Sequence, residues 1–111
     1  MKTAIILFAA IMLAVPAVLS AANQGAEKIV LEGGNTGPVN FAHRQHQDKL
    51  KGDCNVCHNL FPQKKNAISQ MRSPGTLKKR QAMNQCIACH KTLAGQSKPA
   101  GPVNCRGCHK K

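Results

Sequence analysis

The chain has no tryptophan and no tyrosine, and phenylalanine occurs three times, at Phe8, Phe41 and Phe61. Acidic residues are almost as scarce: Glu27, Glu32, Asp48 and Asp53 are the only carboxylates, against sixteen lysines and arginines. Beyond residue 22 there is no long apolar run, and the large apolar side chains that remain are sparse. These absences exclude a conventional apolar core. With so few bulky side chains, a domain of this size cannot bury enough surface to offset the entropy of ordering its backbone. Disulfides, a metal or a cofactor must take part in the interior. No Ser-His-Asp set and no acid pair suggests catalysis on a bound substrate. The shortage of aromatics, on which bases would stack, argues against nucleic acid despite the formal net charge of +12. A basic surface of this kind fits acidic partners instead.

The first 22 residues read as an export signal. Met1-Lys2 is a positive start, "TAIILFAAIMLAV" an apolar run, and "AVLSAAN" after Pro16 a stretch of small residues. Cleavage is expected after Ala22, with Ser20 as the second choice. A retained anchor is disfavoured because a spanning helix needs about 20 apolar residues. The reading is therefore residues 1–22 as a secretory signal peptide and 23–111 as one domain, exported to the periplasm with no stable membrane insertion after cleavage.

All six cysteines fall in three copies of one pattern: Cys54-Asn55-Val56-Cys57-His58, Cys86-Ile87-Ala88-Cys89-His90 and Cys105-Arg106-Gly107-Cys108-His109. A disulfide framework does not explain why His follows every pair. Zinc uses such pairs two at a time, so three pairs leave one over. Cys-x-x-Cys-His is the attachment signature of c-type haem, and it accounts for every copy. On a helical turn the two cysteines at i and i+3 share a face and reach one edge of a porphyrin. The histidine that follows lies on the same side and supplies an axial ligand, so His58, His90 and His109 are the three proximal ligands. Three haem c groups are the expected cofactors, bound through Cys54, Cys57, Cys86, Cys89, Cys105 and Cys108. They also stand in for the missing apolar core.

Two histidines remain, His43 and His46 in "VNFAHRQH". Their i,i+3 spacing puts them on one face of a helix, suited to serving two neighbouring irons, one each. The third iron then has no histidine left. Methionine is the usual alternative and raises the potential. After the signal region only Met71 and Met83 remain, and Met83, three residues ahead of Cys86, is the better placed. Met71, a lysine or an open position are the other options.

"VNFAHRQH" followed by "CNVCH" resembles the class III c-type cytochromes, which include tetrahaem cytochrome c3 and trihaem cytochrome c7; three motifs favour the trihaem branch. The resemblance runs from about Glu27 to Lys111. It implies a small fold dominated by its haems, with an N-terminal two-stranded β-hairpin, a few short α-helices and little regular secondary structure. It also implies a ligand order: His43 with His58, His46 with His90, and Met83 opposite His109. Many members carry a histidine in the segment of Met83, so one His-Met iron beside two bis-His irons departs from the commonest pattern.

The residues agree with the implied hairpin. Ile29–Leu31 and Val39–Phe41 are β-prone runs around the turn sequence "EGGNTGP". Residues 42–51 predict a helix ended near Gly52, and Leu77–Gln85 a helix that delivers Met83. The segment between the first two motifs reads as a long basic connection with a turn at Ser73-Pro74-Gly75.

Function follows as an expectation. The first reading is a soluble, monomeric periplasmic carrier passing electrons between redox proteins with acidic docking surfaces. The second is a terminal reductase of soluble metal ions or another small oxidant, using an open haem site. The third is a binding module of a larger redox assembly.

Overall fold

The structure is a computed structural model that describes residues 24–111. The signal-peptide reading of residues 1–22 lies outside the described residues. The chain opens with a hairpin of β1 (Ile29–Leu31) and β2 (Val39–Phe41), antiparallel in the register Ile29↔Phe41, Val30↔Asn40, Leu31↔Val39. Strand alternation sends Ile29, Leu31, Val39 and Phe41 to one half-buried face and leaves Val30 and Asn40 exposed on the other. A single 3₁₀ turn, Gly34–Thr36, closes the hairpin. The strands lie where the two β-prone runs predict them.

Five short helices follow. They are α1 (His43–Lys49), α2 (Asn55–His58), α3 (Ala67–Arg72), α4 (Gln81–Gly95) and α5 (Cys105–Cys108). Helix α1 stops as expected: Lys51 and Gly52 take the left-handed conformation, at φ 53° and 79°, and the Gly52 amide bonds back to Gln47 O at 2.9 Å. Two differences from the sequence reading stand out. The helix expected over Leu77–Gln85 begins only at Gln81 and runs on through the second motif to Gly95. Arg80 at φ 67° sets the late start, and the Gln81 side chain accepts a hydrogen bond from the Lys78 amide. In addition, the basic connection between the first two motifs contains α3, which no periodicity announced.

The polypeptide has almost no interior of its own. Among the described residues only Ala67 and Leu77 are buried, at 8% and 4% exposure. Both belong to the segment around α3, where the Leu77 amide bonds to Met71 O at 2.9 Å. Elsewhere helices and loops are held by hydrogen bonds between segments rather than by packed side chains. A domain built this way draws its cohesion from something other than apolar side chains.

Candidate functional site

Each Cys-x-x-Cys-His copy forms one helical turn. In the first and third, the histidine amide closes the turn on the carbonyl of the first cysteine, His58 N to Cys54 O at 2.9 Å and His109 N to Cys105 O at 2.8 Å. The second lies within α4. Local chemistry fixes the turns: Asp53 Oδ1 accepts from the Asn55 amide at 3.2 Å, and Asn104 Oδ1 accepts from the Gly107 amide at 2.8 Å. In all three copies the first cysteine is exposed and the second half-buried. Desolvation pushes the Cys57 thiol up, and the Cys86 thiol too although that residue keeps an exposed surface; nearby thiols add to it: Cys89 and Cys54 act on Cys57, while Cys57, Cys108 and Cys89 act on Cys86. A cysteine of the first motif and one of the third thus both lie within electrostatic reach of Cys86 in the second. A hydrogen bond from Gln85 Nε2 to Val56 O, 3.1 Å, ties α4 to the first motif.

The five histidines share one arrangement. In each, Nδ1 lies against a backbone carbonyl: Ala26 O for His43 (2.7 Å), Ala42 O for His46 (2.8 Å), Phe61 O for His58 (2.7 Å), Pro102 O for His90 (2.7 Å) and Gly37 O for His109 (2.7 Å). A carbonyl only accepts, so Nδ1 must carry the proton and donate. In a neutral imidazole this leaves the Nε2 lone pair free to bind a metal. The same bond fixes the ring's orientation and raises its basicity, as outer partners of metal-bound histidines do.

Two imidazole pairs face each other. His43 and His58 have ring centroids 6.2 Å apart with planes at 90°, and His46 and His90 are also 6.2 Å apart with planes at 26°. A metal–nitrogen bond is about 2.0–2.1 Å. Two Nε2-bound imidazoles on one ion therefore place their centroids roughly 6 Å apart. The spacing of both pairs fits an iron held between them, as the expected haem groups require. Phe41, which the sequence marks only as a strand residue, lies against both members of the α1 pair, 4.3 Å from the His46 ring and 6.0 Å from that of His43 by centroid. Met83 lies in the first turn of α4 and is 38% exposed.

The third motif is built differently, against the hairpin. His109 forms an isolated antiparallel bridge with Val39, and the Lys110 amide bonds to Pro38 O at 2.9 Å. Glycines permit the close approaches here and at the second motif: a Cβ on Gly33 would run into Gly37 O and the His109 ring, one on Gly37 into Lys110 O, and one on Gly101 into the His90 ring. These glycines and the five carbonyls escaped the sequence reading. A carbonyl has no residue-type signal, and a glycine required by approach looks like any loop glycine.

A chain with so little apolar interior, three thiol pairs on helical turns and five imidazoles of one tautomer is a multihaem c-type cytochrome. The family model for cytochrome c7 and related cytochrome c matches residues 39–110, and the chain belongs to that family. Its fold is similar to that of PpcC, a cytochrome c7 from Geobacter sulfurreducens, with a TM-score of 0.50 and 29% identity over 78% of this chain and 99% of that one. No curated protein matches the sequence. Membership brings three haem c groups and multihaem electron transfer. The hairpin, short helices and sparse regular structure are those of the cytochrome c7 fold.

Proposed function

We propose that this protein is a soluble periplasmic electron carrier with two bis-His irons and one His-Met iron. The covalent anchors are Cys54 with Cys57, Cys86 with Cys89, and Cys105 with Cys108. The axial pairs are His43 with His58, His46 with His90, and Met83 with His109. The observation that carries the proposal is the common tautomer of the five histidines, together with the 6.2 Å spacing of two facing pairs.

Haem supplies the redox chemistry, one electron per iron. The chain's contribution is to hold and tune. The carbonyls keep Nδ1 protonated and Nε2 available. Phe41 restrains the rings of both α1 histidines, which sit on one short helix and so keep two redox centres close together. A thioether ligand at the third centre raises its potential above those with two imidazoles. That asymmetry gives the carrier distinct points for uptake and release. The surplus of lysine and arginine attracts acidic redox partners. No helix among the described residues is long and apolar enough to cross a membrane. Residues 1–22 serve as the export signal in this reading, and the mature protein works as a monomer.

The second reading turns on the Met83 thioether, the axial partner proposed for His109. If that thioether leaves the third iron open, a small oxidant can bind there and the protein is a terminal reductase. Visible spectra with and without carbon monoxide separate the two. A carrier gives six-coordinate low-spin spectra that carbon monoxide does not alter, and a methionine-to-iron band at long wavelength that disappears in Met83→Ala. Carbon monoxide binding by the unmodified protein, or a band that survives the substitution, overturns the Met83 assignment. The mass of the mature protein counts the haems and locates the cleavage site.

A further inference from the structure

We infer that the exposed segment Gln24–Glu27 is a positioning strap that tunes the first iron through His43; the inference rests on the proposed ligation by that histidine. Four consecutive carbonyls of the segment are bound by α1. Gln47 Nε2 donates to Gln24 O at 2.8 Å, Arg44 Nη2 to Gly25 O at 3.1 Å, His43 Nδ1 to Ala26 O at 2.7 Å, and the Arg44 amide to Glu27 O at 3.0 Å. His43 and Gln47 stand one helical turn apart on a shared face, with Arg44 beside them. Gly25 takes φ 71°, and its Cβ position lies 3.6 Å from His43 Cε1, so the segment runs along the edge of that ring.

The five partner carbonyls come from different places along the chain. Ala42 adjoins α1, and Phe61 is tied to the first motif by its amide bond to Cys57 O at 3.1 Å. Gly37 lies in the hairpin loop that the Lys110 amide fastens, and Pro102 precedes the third motif. Ala26, like Pro102, belongs to an exposed segment outside any helix or strand, and it precedes the hairpin. Such segments order only when tied down. Here Arg44 and Gln47 supply the ties on either side of the carbonyl that orients His43. They are positioning residues, acting on the iron through the imidazole. Donation from Nδ1 makes the ring a stronger donor at Nε2, which favours the ferric state; loss of the strap favours the ferrous state at the first iron alone.

The test uses the exported holoprotein, with potentials assigned to individual haems by paramagnetic NMR. Two variants loosen the strap: deletion of residues 24–26, and Gln47→Leu, which removes a donor without changing charge. The expected result is that the ferrous form of the first haem gains about tenfold, about 59 mV for one electron, while the other two are unmoved. The His43 ring N–H should also exchange with solvent faster. An unchanged first potential in both variants, or an equal shift of all three haems, overturns the strap. His43→Met separates this failure from that of the ligand assignment. If His43→Met leaves the spectrum and potential of the first haem unaltered, the ligation itself is wrong. If it alters them and the strap variants do not, only the strap is wrong.

Discussion

An imidazole gives its lone pair to iron only from the nitrogen that carries no proton, so at the scale of the residue the decisive fact is where each Nδ1 proton goes. All five histidines send it to a backbone carbonyl. Sequence counting nominated these five residues because no other histidine exists. It offered no view of the carbonyls, since every residue has one. The ring planes carry a further consequence. The His43 and His58 planes are perpendicular and those of His46 and His90 are near-parallel, at 90° and 26°. In the oxidised protein the two irons proposed to be bis-His should thus give different low-spin electron paramagnetic resonance signals, strongly anisotropic for the first and rhombic for the second. His46→Met should abolish the rhombic one. Identical signals from both sites would contradict the paired geometry.

At the scale of the element, the hairpin and the loops act as brackets for ligands rather than as walls of a core. The "EGGNTGP" stretch reads from sequence as a turn, and it is one. Its second role appears only once the chain returns, when the C-terminal motif closes against it through His109 and Lys110. Gly33→Ala should therefore disturb the third haem specifically, because the added methyl meets Gly37 O and the His109 ring. Gly101→Ala should disturb the second through His90. Each is an overpacking change expected to cost about 1–3 kcal/mol. Denaturation midpoints together with the three potentials check this: each variant should lower the midpoint and move one potential. The displaced start of the fourth helix belongs at this scale too. Residues Leu77–Gln85 were locally credible as a helix. Arg80 in the left-handed region, with the Gln81 side chain on the Lys78 amide, breaks the segment and carries the helix onward through the second motif instead.

At the scale of the whole molecule, charge and cofactors govern behaviour. The chain is strongly basic, and the acidic partners proposed for it would be attracted over distances that salt screens to about 8 Å at physiological ionic strength. Electron transfer to an acidic redox protein should slow steeply with added salt, whereas transfer from a small neutral reductant should not. Stopped-flow measurement of both across a salt series checks this; equal slopes would count against electrostatic docking. The sequence by itself determined the cofactor chemistry, because Cys-x-x-Cys-His is a local pattern whose geometry fits within one helical turn. It also determined that a cofactor was needed, because composition limits how much apolar surface can be buried. Only the tertiary structure decided which rings face each other, which carbonyl orients each ring, and that Gln24–Glu27 runs along the edge of His43. Those relations join residues such as Ala26 and His43, or Gly37 and His109, that are distant along the chain. They are made largely by backbone atoms, which are the same in every amino acid and leave no trace in the order of side chains.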